Sequence, residues 1–127
     1  MEIFIPGNVP SSKNSRMRTR SGIFIKSPLC FKYEKATKII WENNQIEFRQ
    51  KIDNLNKPIL IGLHFIRDSK RRCDFHNLVQ FIADLMVKYN WIEDDNMTQV
   101  FFIPYKINDN YYSVDKINCG VWIKVLE

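Results

Sequence analysis

Apolar positions along the chain follow two different spacings, one typical of strands and one typical of helices. In the segment Glu2–Pro6, alternate apolar side chains share one face, and the segment Ile59–Ile66 is a run of branched and aromatic residues, so both are predicted strands. Helical spacing begins after Ser27-Pro28, a pair that favours a helix start, and continues to about Gln50. A second helix is predicted from Asp74 to about Tyr89.

The order of these elements predicts an α+β fold. A turn is expected at residues 108–110, and the segment Tyr111–Asn118 has no clear pattern. No repeat or linker interrupts residues 1–127, so we expect a single domain with a small mixed β-sheet and two main helices. The remaining predicted strands are Ile23–Ile25, Val100–Ile107 and Cys119–Val125.

Helical spacing also predicts the buried face of each helix. In the first helix this face is Leu29, Tyr33, Ala36 and Ile40, with Ile39 as a further candidate. In the second it is Leu78, Phe81, Ile82 and Leu85, with Phe75 and Met86 at its edge. A polar stripe on another side contains His76, Gln80 and Asp84, and Asp84 is expected to pair with Lys88. Three further aromatic residues, Trp91, Phe101 and Phe102, are expected in the core rather than as base-stacking platforms.

Composition is that of a globular protein, with 45% hydrophobic and 26% charged residues. The three cysteines are widely spaced and form no CxxC pair, which is typical of reduced thiols in a cytosolic protein. No apolar stretch is long enough to span a bilayer, and the N-terminal residues do not resemble a signal peptide. We therefore expect a cytoplasmic protein without a membrane partner.

The net charge of +5 is concentrated in two clusters. Between Lys13 and Lys38 there are eight basic residues and one acidic residue, Glu34, and a second cluster comprises Arg67 and residues 70–72. Basic clusters are typical of proteins that bind a polyanion, although a solvated face that maintains solubility gives the same pattern.

Carboxylates follow the second basic cluster. The sequence Arg71-Arg72-Cys73-Asp74-Phe75-His76-Asn77-Leu78 is followed by Trp91-Ile92-Glu93-Asp94-Asp95. Carboxylate oxygens bind hard cations such as Mg²⁺, but a 15-residue helix is roughly 22 Å long, so Asp74 and Asp95 can share a metal only if the chain folds back along the helix. The alternatives are that Asp74 only caps the helix, that His76 only faces solvent, and that Asp94 and Asp95 are solvated turn residues.

These two segments resemble the RusA family of Holliday-junction resolvases, in which a basic turn leads into an Asp-rich helix start, followed by a Trp and paired Asp residues. The opening Pro6-Gly7-x-x-Pro10-Ser11-x-Lys13-Asn14 is also similar to the start of that family. The resemblance implies a small homodimeric endonuclease that resolves four-way junctions or related branched DNA in recombination and repair. It also implies Mg²⁺ as the cofactor, with Mn²⁺ as an alternative.

The resemblance assigns roles to individual residues. The implied catalytic residues are Asp74, His76 and Asp95, which with Asp94 are also the implied metal ligands. Asn77 and Gln80 are implied to support them. The expected DNA-binding residues are Lys13, Asn14, Arg16, Arg18, Arg20, Lys70, Arg71 and Arg72.

Two positions depart from the family pattern. His76 stands where the family has a second Asp, and Gln80 stands where it has a catalytic Lys. Imidazole is a poorer Mg²⁺ ligand than a carboxylate, and an amide cannot supply a full positive charge. A catalytically weakened or inactive protein that binds branched DNA on the same fold is therefore the alternative prediction.

Overall fold

A five-stranded mixed sheet forms the centre of the computed structural model, which describes residues 1–12, 16–18 and 24–126, with backbone alone for 16–18 and 24–26. The strands of this sheet are β1 (Glu2–Pro6), β4 (Ile59–Arg67), β5 (Val100–Pro104), β6 (Tyr112–Val114) and β7 (Gly120–Val125). The helices are α1 (Pro28–Asp53) and α2 (Phe75–Lys88). A separate two-stranded sheet contains β2 (Arg16–Arg18) and β3 (Phe24–Lys26). The predicted α+β fold with a mixed sheet and two main helices is confirmed.

Strand β4 organises the sheet because it is paired along both edges. It runs antiparallel to β7, which in turn pairs antiparallel with β1. On its other edge β4 runs parallel first to β5, with Leu63 opposite Pro104, and then to β6, with Phe65 opposite Tyr112. The chain therefore leaves this edge after Pro104 and rejoins it at Tyr112. We call residues 105–111 the edge excursion.

The edge excursion is shaped by a tight turn and by close packing on β4. Ile107 and Asn110 exchange backbone hydrogen bonds across Asn108 and Asp109, whose φ angles are 51° and 65°. Asn and Asp tolerate this left-handed region, so the predicted turn is confirmed. Gly62 of β4 is needed beneath the excursion, because a Cβ there would lie 2.7 Å from the Tyr105 ring.

The core lies between the helices and the sheet, and α2 is packed as predicted. Leu78, Phe81, Ile82 and Leu85 are buried, and Met86 is fully buried rather than at the edge. In α1 the predicted face was only partly right, since Tyr33 is buried and Ile40 is half-buried, whereas Leu29, Ala36 and Ile39 are exposed. The buried residues of α1 are Cys30, Tyr33, Glu34, Thr37, Trp41, Phe48 and Ile52.

The buried face of α1 contains two polar residues, Glu34 and Thr37, and these explain the error. The Thr37 hydroxyl donates to the Tyr33 carbonyl at 2.9 Å and accepts from the Trp41 indole at 2.9 Å. Thr37 is thus buried with its hydrogen bonds satisfied inside the helix. A prediction that assigns every polar residue to the exposed side of a helix cannot identify this buried face.

Element bounds agree with the prediction except near irregular segments. The predicted strand Val100–Ile107 ends at Pro104, and β6 lies in the segment that had no assignment. Residues 16–18, for which no strand was predicted, form β2. The three cysteines form no disulfide with one another, in agreement with the predicted reduced thiols. Among the described residues, neither helix combines the length and the apolar character that crossing a bilayer requires.

Candidate functional site

The basic turn between β4 and α2 borders a cleft of about 750 Å³. Lys70, Arg71 and Arg72 line this cleft and are exposed, as are Asp74 and His76, which line it at the start of α2. The predicted phosphate-binding residues of the second basic cluster therefore share one surface with two of the predicted catalytic residues.

The opening loop is fixed beside this basic turn. The Arg67 guanidinium donates to the carbonyl of Val9, and the Asp68 backbone N–H donates to the Asn8 side chain at 3.1 Å. Val9 is buried, which anchors the loop further. Asn8 and Val9 of the opening motif, about sixty residues earlier in the sequence, are thus next to the start of the basic turn in space. Of the other predicted DNA-binding residues, Arg16 and Arg18 lie in β2, whereas Lys13, Asn14 and Arg20 lie outside the described residues.

Asp74 occupies the N-cap position of α2, but its side chain makes no capping bond to the helix. The helix is capped through the backbone instead, since the Asn77 N–H donates to the Asp74 carbonyl at 3.1 Å. The Asn77 side-chain amide lies 3.5 Å from Asp74 Oδ2. The alternative that Asp74 serves only as a side-chain cap is therefore not supported, and Asn77 is placed to orient its carboxylate.

After α2 the chain folds back because Trp91 is inserted against α1. Trp91 is fully buried, its indole N–H donates to the Trp41 carbonyl at 2.7 Å, and its ring stacks on Phe48 at 4.7 Å between centroids. Asn90, with a φ of 60°, reverses the chain, and its carbonyl accepts from the Gln45 side chain at 3.0 Å. We call residues 89–95 the return turn. The expectation that Trp91 belongs to the core is confirmed.

A buried carboxylate joins α1 to the end of α2. Glu34 accepts a bond from the Lys88 ammonium and another, at 3.0 Å, from the Tyr89 hydroxyl. Burial, together with the hydrogen bond to Glu34, raises the pKa of Tyr89 to about 12. Lys88, which was expected to pair with Asp84, therefore goes to Glu34 instead.

The return turn brings Asp95 against the polar stripe of α2. The Gln80 side-chain N–H group donates to Asp84 Oδ1 at 2.8 Å and lies 3.5 Å from Asp95 Oδ2. Asp84 and Asp95, eleven residues apart in sequence, thus reach the same amide nitrogen. The chain does fold back along the helix, as sharing a metal between Asp74 and Asp95 would require, but it brings Asp95 to Gln80 rather than to Asp74.

Asp94 has a different role from its neighbour. One of its carboxylate oxygens accepts from the Asp95 backbone N–H at 2.7 Å, and the other accepts from the Asn96 side chain at 2.9 Å. The hydrogen bond from the Asp95 backbone, and then that from Asn96, lowers the pKa of the Asp94 carboxyl. Asp94 thus organises the turn, and Asp95 is the residue presented to α2.

Six polar residues, five predicted for the site and Asp84 in addition, consequently form two neighbouring groups. Asp74, His76 and Asn77 lie at the start of α2 beside the cleft, and Gln80, Asp84 and Asp95 lie further along the same exposed side. Asp74 and Gln80 are separated by about 9 Å along the helix axis. Within the described part of the chain, no three His, Cys, Asp or Glu side chains are grouped to hold a metal ion.

This donor set fits one kind of metal site. Mg²⁺ commonly keeps several waters and is held by one or two carboxylates together with substrate phosphate oxygens. Asp84 and Asp95, which reach the same amide nitrogen, supply such a pair of carboxylates. The residues present therefore fit a hydrated ion shared with a phosphate, and they do not form a cage of three protein ligands.

Aromatic residues of the cleft were missed from the sequence. Phe102, Tyr111 and Tyr112 line the cleft together with the basic turn, and Phe101, expected in the core, is 41% exposed. Tyr111 and Tyr112 directly follow the predicted turn at residues 108–110. An adjacent tyrosine pair after a surface turn was the available signal.

Comparison with known proteins identifies no relative: the sequence matches no protein-family model and no curated protein. The resemblance to RusA-type resolvases therefore rests on the motif residues and their spacing.

Proposed function

We propose that this protein is a structure-specific DNA endonuclease, similar to RusA-type resolvases, that cuts four-way or related branched DNA with a divalent metal ion. The observation that carries the proposal is the position of Asp95 against the polar stripe of α2. The return turn places it beside Gln80 and Asp84, on the helix whose first residues line a basic cleft. The residues proposed to bind phosphate and those proposed to bind metal then lie on one surface.

In this proposal the basic turn positions the DNA. Lys70, Arg71 and Arg72 are exposed at the cleft, where their charges would neutralise backbone phosphates. Such contacts fix the orientation of the DNA and give affinity, but they read little sequence. This agrees with a substrate recognised by its branched shape.

The carboxylates would hold Mg²⁺, or Mn²⁺, at the same surface. Asp84 and Asp95 are the pair brought together, and Asp74 stands at the cleft with Asn77 against its carboxylate. When bound, such an ion supplies charge stabilisation at the scissile phosphate and an activated water. Gln80 would orient Asp84 and Asp95 through its amide, and His76 would face the substrate from the cleft lining.

A second function, non-catalytic binding of branched DNA, is favoured by the arrangement around Gln80. The amide donates a hydrogen bond to Asp84 and lies within contact distance of Asp95, where a metal would otherwise take their oxygens. No cluster of three metal ligands accompanies them in the described segments. Under this alternative the basic cleft still binds junctions, in a salt-sensitive way, without cleavage.

Cleavage of a synthetic four-way junction in Mg²⁺ or Mn²⁺ distinguishes the two functions. We expect nicking by the wild type, loss of nicking in Asp74→Asn and Asp95→Asn, and a strongly reduced rate in Asp84→Asn, each with junction binding retained. Asp53→Asn, an exposed carboxylate at the far end of α1, is the matched control and should cleave normally. A folded wild type that binds the junction and nicks it with neither metal would leave only the binding function.

We also propose that the protein is cytoplasmic and that it acts as a homodimer. The dimer is proposed because symmetric nicking of two strands requires two active sites. Light scattering of the free protein and of its junction complex tests this. A single protomer per cleaved junction would contradict it.

A further inference from the structure

The cleft also has aromatic residues whose chemistry the proposed cleavage does not use. Phe102, Tyr111 and Tyr112, which we call the aromatic wall, line it together with Lys70, Arg71 and Arg72, the basic wall. Phe65 and Phe75 also line the cleft. Its volume of about 750 Å³ lies within the range of sites that enclose a small organic ligand. The basic wall can thus bind phosphate while the aromatic wall offers ring faces.

The two tyrosines are exposed although the backbone that carries them is fixed. Tyr111 is 56% exposed and Tyr112 is 61% exposed. Tyr112 is paired with Phe65 in β4, and Tyr111 follows the Ile107–Asn110 turn. Large aromatic side chains held rigidly at a surface lose little conformational entropy when a ligand stacks on them.

A cation also lies against the aromatic wall. The Lys106 ammonium lies 5.2 Å from the centroid of the Tyr111 ring, in a cation–π arrangement. An aromatic surface accompanied by cations is complementary to a nucleotide, which has a flat base and an anionic phosphate. A purely apolar ligand would leave the basic wall without a partner.

We infer that this cleft binds one unpaired nucleotide at the branch point, with its base stacked on Tyr111 and Tyr112 and its phosphate held by Arg71 and Arg72. The inference rests on the proposed function and adds a second requirement for the substrate. Bases within a duplex have their faces covered by their neighbours, so only an unstacked base offers a face to this wall. Because Asp74 and His76 line the same cleft, the captured nucleotide would lie next to candidate catalytic residues.

Affinity for single-stranded DNA tests the inference directly. The probe is a labelled oligothymidylate, and the variants are Tyr111→Leu/Tyr112→Leu and, as the matched control, Tyr111→Phe/Tyr112→Phe. Loss of stacking should weaken binding by roughly 5- to 150-fold in the leucine variant. The phenylalanine variant keeps both aromatic faces and should bind like the wild type. Equal affinities of all three proteins would overturn the inference.

A junction with abasic nucleotides at the branch point separates this inference from the proposed function. The wild type should bind the intact junction more tightly than the abasic one, and the leucine variant should bind both equally. If the wild type cleaves junctions but binds the intact and the abasic junction equally, the nucleotide site is refuted and the endonuclease stands. If tyrosine-dependent binding of single strands is found without cleavage, the nucleotide site stands and the endonuclease is refuted.

Discussion

His64 Nε2 and the Ser113 hydroxyl are joined by a 2.8 Å hydrogen bond that closes the edge excursion. The other ring nitrogen of His64 lies 3.0 Å from the Tyr105 carbonyl. A carbonyl only accepts, so Nδ1 carries a proton, and in the neutral imidazole Nε2 accepts from Ser113. One fully buried side chain of β4 thus holds the chain where it leaves the sheet edge and where it returns.

Replacing His64 should therefore destabilise the protein more than replacing Ser113. We expect His64→Ala to lower the free energy of unfolding by about 2–4 kcal/mol, because it leaves a cavity and two unpaired polar groups. Ser113→Ala removes one hydrogen bond and should cost about 1 kcal/mol. Urea denaturation measures both, with Ile117→Ala, at a side chain that is 88% exposed, as the neutral control. Equal costs for the two variants would show that His64 does not hold both ends.

Trp91 should be required for the site as well as for stability. Trp91→Ala removes a fully buried ring that stacks on Phe48 and bonds to Trp41, so we expect a loss of about 3–5 kcal/mol. Trp91→Phe keeps an aromatic ring but leaves the Trp41 carbonyl without its indole donor, and should cost less. If the return turn holds Asp95 in place, cleavage falls in Trp91→Ala at temperatures where the variant is still folded. Normal cleavage under those conditions would show that cleavage does not depend on the packing of the return turn.

Stability should fall at alkaline pH because tyrosines with raised pKa values are buried or hydrogen-bonded. Burial raises the pKa of Tyr89 and of Tyr105 to about 12, against 10.0 for an ordinary tyrosine. The folded state therefore keeps these protons while the unfolded state releases them, so their contribution is complete below about pH 10 and is lost between pH 10 and 12. Glu34→Gln removes the charge beside Tyr89 and should lower its pKa, as measured by phenolate absorbance. An unchanged titration would exclude Glu34 as a cause.

The basic turn should determine the salt dependence of DNA binding. Each phosphate contact that Arg71→Ala or Arg72→Ala removes should reduce the slope of log affinity against log salt by about 1. Lys57→Ala is a suitable control, because Lys57 is exposed just before β4, at the opposite end of that strand from the cleft. A slope unchanged in both arginine variants, or reduced equally in Lys57→Ala, would place the phosphate contacts elsewhere.

The regular elements were predictable because their patterns are local. Strand β4 and helix α2 follow simple rules of alternation and helical spacing, and α2 also has its polar stripe where expected. The buried face of α1 was not predictable in this way. Glu34 is buried there because Lys88 and Tyr89, more than fifty residues later, supply its partners.

The sequence named candidate site residues, but it could not predict how they are grouped. The sequence identified Asp74 and Asp95 and the need for the chain to fold back between them. It could not show that Trp91 would be held by Trp41, nor that Asp95 would reach Gln80 rather than Asp74. It also expected a continuous strand to Ile107, and so missed the aromatic wall that the edge excursion carries.

Because the chain leaves and rejoins the edge of β4, one part of the cleft is fixed by the sheet and another part lies on a loop that can be replaced. The basic turn directly follows the central strand, so its position depends on the whole sheet. The tyrosines stand on or beside a segment that the sheet brackets on both sides, at Pro104 and Tyr112. A loop grafted between these two residues would replace Lys106 and Tyr111 and leave Tyr112 and the basic turn in place, so part of the stacking surface can be changed without altering the residues proposed to bind phosphate.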